Sequence, residues 1–281
     1  MIKVLKTGFY STIQDLGRFG YQQYGVPYSG VMDALSASFA NSILGNDLNT
    51  AVLEITMTGP TLEFSTETLI CISGANLSPQ LNKANIKQNK ALKVHAGDVL
   101  SFGKLQQGFR CYLAVLGGFN TEKVMDSYSM YGNITQSMAL SKNDVLQIHD
   151  KTSNLKKTYA SIKMPDSHFT TPEMDVFKGP EFDLLSQQQQ DELISKTFTI
   201  SKENNRMAYQ LNDLLANDLK PIITSAVLPG TVQLTPAGNL IILMRDCQTT
   251  GGYPRVLQLK DTSINVLAQK FTGHTINFRL V

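Results

Sequence analysis

The chain has 281 residues, 42% of them hydrophobic and 17% charged, enough to bury one large core or two of about 100–150 residues each, and two is the expectation. Lys+Arg number 25 against 23 Asp+Glu; no basic block or basic–aromatic stripe accompanies them, which excludes nucleic acid and an anionic membrane surface as partners. Three scattered cysteines, Cys71, Cys111 and Cys247, suit neither a disulfide framework nor a Cys-x-x-Cys metal site, and with no secretory core at the N-terminus and no apolar run near ~20 residues they point to the cytoplasm.

The first informative stretch is Gly8 to Asp33, "GFYSTIQDLGRFGYQQYGVPYSGVMD", which has few aliphatic residues and four glycines beyond the first. A core strand is not written this way. Gln14, Asp15 and Arg18 within it read as a binding loop whose arginine brackets a carboxylate or phosphate, or else as a loop pinned by an Asp15–Arg18 salt bridge. Next, "SGVMDALSASFANSILGN" predicts a helix with Val31, Leu35, Phe39 and Ile43 on one stripe and Gly45 as its stop. Short alternating runs follow and predict strands: "TLEFS" at 61–65, "TLICISG" at 68–74, "DVLSFG" at 98–103, "FRCYLAVLGG" at 109–118 and "DVLQIH" at 144–149. The polar segment 151–172, with Pro165 and Pro172, is the best linker, giving an N-terminal lobe over 1–165 and a C-terminal lobe over 166–281.

Beyond it, Leu184 to Ile194 predicts a helix with a Ser186/Gln189 capping box. In "NNRMAYQL", Arg206 either caps or pairs with an acid, or faces a ligand. "TVQLTP" (231–236), "NLIILM" (239–244) and "TINFRLV" (275–281) predict further strands, so the fold class is mostly β. Gln233, in a polar slot of "TVQLTP", either reads a ligand amide at a barrel mouth or lies on a solvated strand face. "GPTLEFSTETLICISGA" (59–75) and "GTVQLTPAGNLIILMRD" (230–246) echo one another, and "GDVLSF" and "GHTINF" follow each, which suggests a duplicated β unit. Last comes "MRDCQTTGGYPRV", Met244 to Val256. Its glycines either turn a hairpin or let backbone N–H groups approach an anion, flanked by threonine hydroxyls.

Several signals fail. "GDVLSFGKL" has the wrong glycine spacing for a phosphate loop, and Leu105 stands where a hydroxyl is required. His95, His149, His168 and His274 stand apart, so no metal site is expected. Cys247 beside Asp246 has no local base. No biotinylation sequence occurs.

"STIQDLGRFGYQQYGVPYSGVMD", "LEITMTGPTLEF", "ISGANL", "YLAVLGGF", "NNRMAYQL" and "PGTVQLTPAGNLIILMRDCQTTGGYP" resemble, in order and spacing, the signature segments of the KipA family, also called allophanate hydrolase subunit 2 or the biotin-dependent carboxyltransferase-like family. The resemblance runs from Gly8 to Phe278. It implies two cyclophilin-like β-barrel lobes with a few short helices. Its bacterial members include the C subunit of 5-oxoprolinase, an enzyme that opens a lactam with ATP to give glutamate and needs two further subunits, one KipI-like (B) and one LamB/YcsF-like (A). Other members implied are a regulatory module binding a KipI-like kinase inhibitor and a domain carboxylating urea. The resemblance therefore implies a small amide or lactam substrate, ATP used by the complex, and no biotin on this chain. Preorganised donors stabilise the charge that develops on an amide oxygen. This makes Asp246, Thr249, Thr250 and Tyr253 the catalytic candidates, and Gln14, Asp15, Arg18, Arg206, Gln233, Gln248, Gly251 and Gly252 the substrate-binding ones. The chain departs from the family pattern at "DSYSM", where Asp126 replaces a glycine and Tyr128 an arginine, and at Ala208, Ala226 and Cys247.

Overall fold

The computed structural model describes residues 1–150 and 164–281; most of the expected linker, residues 151–163, lies outside the described residues. The chain packs as two compact units, Met1–Arg18 with Ser29–Phe169 and Phe19–Tyr28 with Thr170–Val281. The division differs from the expected 165/166 break in two places. Four residues after Pro165 stay with the first unit, and the ten-residue segment 19–28 belongs with the second.

The first unit contains β1 (Ile2–Lys6), β2 (Tyr10–Gln14), α1 (Ala34–Leu44), β3 (Val52–Thr56), β4 (Thr61–Phe64), β5 (Thr68–Asn76), β6 (Pro79–Leu81), β7 (Ala84–Asn85), β8 (Leu92–Val94), β9 (Val99–Phe102), β10 (Gln107–Val115), β11 (Val145–Leu146) and all but the last residue of α2 (Ser167–Thr170). The strands form a six-stranded sheet, β11-β1-β4-β9-β6-β7, and a five-stranded sheet, β2-β3-β10-β5-β8. The period-2 geometry of a strand explains how β10 serves two interfaces. Cys111, Leu113 and Val115 join Ile2, Val4, Leu62 and Phe64 in the core between the sheets. Tyr112 and Ala114 point the other way, onto Ala37, Ala40 and Leu44 of α1.

The expected stripe of α1 is corrected. Its buried residues are Ser36, Ala37, Ala40, Asn41 and Leu44, whereas Leu35 is 45% exposed. Asp33 is the N-cap, accepting from Ser36 N, so Val31 precedes the helix. Small residues let the helix axis lie close to the sheet. The predicted stop holds, because Gly45 caps the helix at φ 69°, a conformation open to glycine at little cost.

The second unit contains β12 (Glu173–Lys178), α3 (Gln187–Ser195), β13 (Phe198–Asn204), β14 (Ala208–Leu211), β15 (Ser225–Ala226), β16 (Thr231–Leu234), β17 (Leu240–Leu243), β18 (Thr250–Gly251), β19 (Arg255–Leu259), α4 (Asp261–Leu267) and β20 (Thr275–Leu280). Seven of these strands close a barrel in the order β12-β19-β16-β17-β14-β13-β20. Closure is made by β20, which runs parallel to β12 and antiparallel to β13. Val232, Leu234, Ile242, Tyr209, Phe198 and Ile276 are wholly buried, each aliphatic one contributing about 1.5–3 kcal/mol relative to exposure. The capping box forms as predicted: Ser186 and Gln189 satisfy each other's backbone N–H at the start of α3. The mostly β reading with a few short helices therefore holds. The echo does not extend to strand pairing, since β4 and β5 fall in different sheets while β16 and β17 are direct neighbours. Among the described residues no helix is long and apolar enough to cross a membrane.

Candidate functional site

The candidate residues fall into the two units, Gln14, Asp15 and Arg18 in the first and the rest in the second. In the first unit they make a buried polar knot. Asp15 Oδ1 accepts from Gly17 N (2.9 Å) and from the hydroxyls of Ser127 and Ser129 (2.7 Å each), and Oδ2 accepts from Tyr128 N at 2.7 Å. Arg18 donates from Nε to Val124 O (3.0 Å) and from Nη2 to Ser129 O (2.8 Å). Gln14 bonds Met130 O, Thr12 Oγ1 and Gly30 N. All three side chains are at most 2% exposed.

Through these two carbonyls Arg18, 1% exposed, fastens the 124–130 segment to the strand end, and no Asp15–Arg18 contact is among these bonds. The two serines of "DSYSM" are part of this knot. The departures Asp126 and Tyr128 project outside it, Asp126 being 84% exposed at its side chain.

In the second unit, Arg206 and Asp246 engage each other. Nε meets Oδ2 at 2.8 Å and Nη2 meets Oδ1 at 2.9 Å, both residues being at most 9% exposed. Asp246 N also donates to Arg206 O at 2.9 Å. This two-pronged pair fixes the turn before the Gln-Thr-Thr-Gly-Gly-Tyr segment. It commits the Arg206 guanidinium and the Asp246 carboxylate to each other, the acid-pairing alternative for Arg206. Cys247 follows, its thiol pushed up to about 12 by burial and then by the Asp246 charge, so it stays protonated and is no nucleophile.

Within the segment, Thr250–Gly251 form the short strand β18. β18 pairs with β15, Ser225 opposite Gly251 and Ala226 opposite Thr250. Thr249 O accepts from Val227 N (3.1 Å) and Gly252 O from Ile222 N (2.9 Å). Neither Gly251 nor Gly252 has a positive φ, so neither the turn nor the anion-nest reading describes them. What Gly251 supplies is room: a Cβ there would lie 2.4 Å from Gln233 Nε2.

Gln233, 2% exposed, alternates with the core residues Val232 and Leu234 on β16, so its carboxamide leaves the barrel interior and lies under β18. Nε2 makes one long bond, 3.5 Å, to Tyr253 O, and Oε1 has no hydrogen-bond partner among the described residues. Around it, Thr250 and Tyr253 are exposed and Gln248 and Thr249 half-buried.

Sequence reasoning missed the clamp that holds this region. Arg255, opposite Gln233 in the β16–β19 register, donates to both oxygens of Glu181 (2.9 and 2.8 Å) and from Nη1 to Ala226 O (3.0 Å). The hydrogen bond from Arg255 holds the Glu181 carboxyl below its ordinary range. Gln22, from segment 19–28, donates to Val227 O at 3.0 Å. Arg255 comes two residues after Tyr253 and was open to notice; Glu181, 74 residues earlier, left no signal. Among the described residues no group of three or more His, Cys, Asp or Glu side chains is placed to hold a metal ion.

The sequence pattern of the family described as Carboxyltransferase domain, subdomain A and B, matches residues 24–280. The 5-oxoprolinase C subunit of Escherichia coli is 31% identical over 99% of this chain and 90% of its own length. That of Haemophilus influenzae is 31% identical over 100% of this chain and 91% of its own. The crystal structure of the K. lactis urea amidolyase superposes with a TM-score of 0.88 at 28% identity, covering the whole of this chain but 18% of that much longer one.

Proposed function

Because the chain belongs to the carboxyltransferase domain family, subdomains A and B, with relatives named as the C subunit of 5-oxoprolinase along nearly its whole length, we propose that it is the C subunit of an ATP-dependent 5-oxoprolinase. In this reading it acts only in complex with two further proteins, a KipI-like B subunit and a LamB/YcsF-like A subunit. The complex converts 5-oxo-L-proline, ATP and water to L-glutamate, ADP and phosphate. ATP is consumed by the complex rather than held by a phosphate loop of this chain.

The observation that carries the reading is the carboxamide of Gln233 beneath Gly251, almost without internal partners. A primary carboxamide offers an acceptor oxygen and a donor N–H side by side. A lactam, whose amide is locked cis, offers the matching N–H and C=O on one edge, so the two close a pair of hydrogen bonds. Such a pair discriminates strongly, because a ligand lacking either group leaves a buried polar atom unpaired. Gln233 Nε2 thereby donates to the oxygen on which charge develops as the ring carbonyl carbon is attacked, with the exposed Tyr253 hydroxyl, two residues past Gly251, as a further donor and Gln248 and Thr249 nearby in the chain, whereas Thr250 alternates with Gly251 on β18 and faces away from Gln233. Gly251 leaves the space above Gln233 free of a side chain.

The test is reconstitution with the two partner proteins, measuring 5-oxoproline-dependent phosphate release and glutamate formation. Turnover by the three-component mixture and none by the chain alone supports the proposal. A stable complex with the KipI-like protein and no turnover with any lactam refutes it in favour of a regulatory module. Urea presents the same N–H and C=O edge, and the likeness to the urea amidolyase fold makes it the competing substrate to include.

A further inference from the structure

5-Oxoproline carries a carboxylate on the ring carbon beside the lactam nitrogen, so a site that reads the lactam amide has a charged group to receive close by. Arg255 stands where that group would lie. It is paired with Gln233 in the β16–β19 register, at an irregularity between Val232 and Gln233, and paired residues hold their Cβ atoms about 5 Å apart. Both side chains reach the β15–β18 ribbon: Gln233 lies under Gly251, and Arg255 Nη1 donates at 3.0 Å to Ala226 O, in the strand paired with β18. Each Nη of a guanidinium carries two N–H groups, and one on each is spent, Nη1 on Ala226 O and Nη2 on Glu181 Oε1 at 2.8 Å. The second N–H on each nitrogen has no partner among the described residues. The side chain is 18% exposed, so the guanidinium is not sealed beneath the ribbon. Glu181 is satisfied on the other side of it, Oε2 accepting from Arg255 N and Nε. The acid and the Ala226 carbonyl thus fix the fork in place before a ligand arrives, which lowers the entropic cost of binding.

We propose that Arg255 receives the substrate carboxylate through these two N–H groups, and that the site therefore selects lactams bearing a carboxylate next to the ring nitrogen. The inference rests on the reading of Gln233 as the partner of the lactam amide. A carboxylate offers one oxygen to each nitrogen of the fork. Urea and unsubstituted lactams, which have no carboxylate, use only the Gln233 half of the site. Arg255 is then what separates 5-oxoproline from urea, two molecules that present the same amide edge.

The experiment takes the reconstituted three-component enzyme and compares 5-oxo-L-proline with its uncharged carboxamide and with 2-pyrrolidinone, competing in one mixture. Wild type should prefer the acid over the carboxamide about ten- to a hundredfold in kcat/KM, the worth of one charge-assisted contact. Arg255→Gln, which removes the charge, should bring the preference close to unity. Arg255→Lys, which keeps the charge without the fork, should leave about fivefold at most. Each ratio is measured within one preparation, so poorer folding or assembly of a variant does not move it. Equal use of acid and carboxamide by wild type, or a full preference kept by Arg255→Gln, overturns the proposal and leaves Gln233 in place. No turnover of any lactam removes the Gln233 reading and this one with it. If the variants do not assemble, phenylglyoxal labelling of the wild-type complex decides: 5-oxo-L-proline should shield Arg255 from modification, mapped by mass spectrometry, and 2-pyrrolidinone should not. Shielding by both, or by neither, overturns it.

Discussion

Replacing Gly251 with alanine tests the proposed amide reader directly. The backbone accepts the change, because Gly251 does not have a positive φ. The side chain does not fit. Its Cβ would stand 2.4 Å from Gln233 Nε2 where ordinary contact begins at 3.4 Å, so 3.4 − 2.4 = 1.0 Å of movement is required, with Val227 Cγ1 at 3.3 Å resisting on another side. The atom that must move is the end of a flexible side chain, so the stability cost is small. The gain from a stiffer unfolded chain, about 0.4–1 kcal/mol, offsets part of it. A displacement of about 1 Å in a reacting constellation costs on the order of 10²-fold in rate. Gly251→Ala should therefore keep its melting temperature and partner binding while reducing kcat of the reconstituted complex about 100-fold. At Gly252 the nearest atom to a Cβ is Ile222 O at 3.5 Å, an ordinary contact, so Gly252→Ala should stay within about twofold of wild type, below the loss of even one well-placed donor. Equal rates for both variants, or equal losses, would remove Gln233 from the site.

Arg18→Ala should cost about 2–3 kcal/mol by chemical denaturation, since it strands the buried Ser129 carbonyl and the half-buried Val124 one; Arg18→Lys should recover part of this, and both should leave turnover per folded molecule unchanged. Asp246→Asn leaves Arg206 buried without its carboxylate and should cost about 3–5 kcal/mol, read as a lowered denaturation midpoint. Lys270 is 3% exposed, and burial lowers its pKa from 10.5. The folded state therefore disfavours the ammonium, a penalty that is full at neutral pH and fades as pH rises towards 10.5. Lys270→Met should accordingly stabilise by roughly 0.5–2 kcal/mol at pH 7, an advantage that shrinks in melts taken towards pH 10.5, and a pH-independent difference would refute the cause.

Local order was legible wherever one strand or one cap decided it. The alternation in "FRCYLAVL" gives β10 and its two faces, and Ser186 with Gln189 gives the start of α3. The buried face of α1 was not legible, because large apolar residues suggest a stripe while close packing on a sheet selects small ones. Pairing over distance was less legible still. Nothing local tells that Arg206 meets Asp246 40 residues on, or that Asp15 is satisfied by hydroxyls more than 110 residues away. The same composition that describes a binding loop, glycines with an arginine and two carboxylates, also describes a buried polar knot. The partners that the polar groups meet separate the two, and those are set by the fold. For Gly251 the chemistry was sought in its φ, whereas its contribution is the missing Cβ.

The glycine-rich N-terminal stretch shows why such a segment resists a single reading. Arg18 closes the first unit's knot, the very next residue begins ten that belong to the second unit, and Ser29 returns to the first. One continuous sequence signal thus serves two purposes with different physics. Before the crossing, polar side chains are buried and spent on their own backbone. After it, Gln22 supports Val227 O from outside the strand order, and Val227 N is bonded to Thr249 O at the start of β18. The second unit therefore owes one support of its candidate site to residues more than 140 positions before its main body begins. A cut at the expected 165/166 boundary would leave the barrel strands intact but remove that support, so the two lobes are separable as packing units and not as pieces of chain.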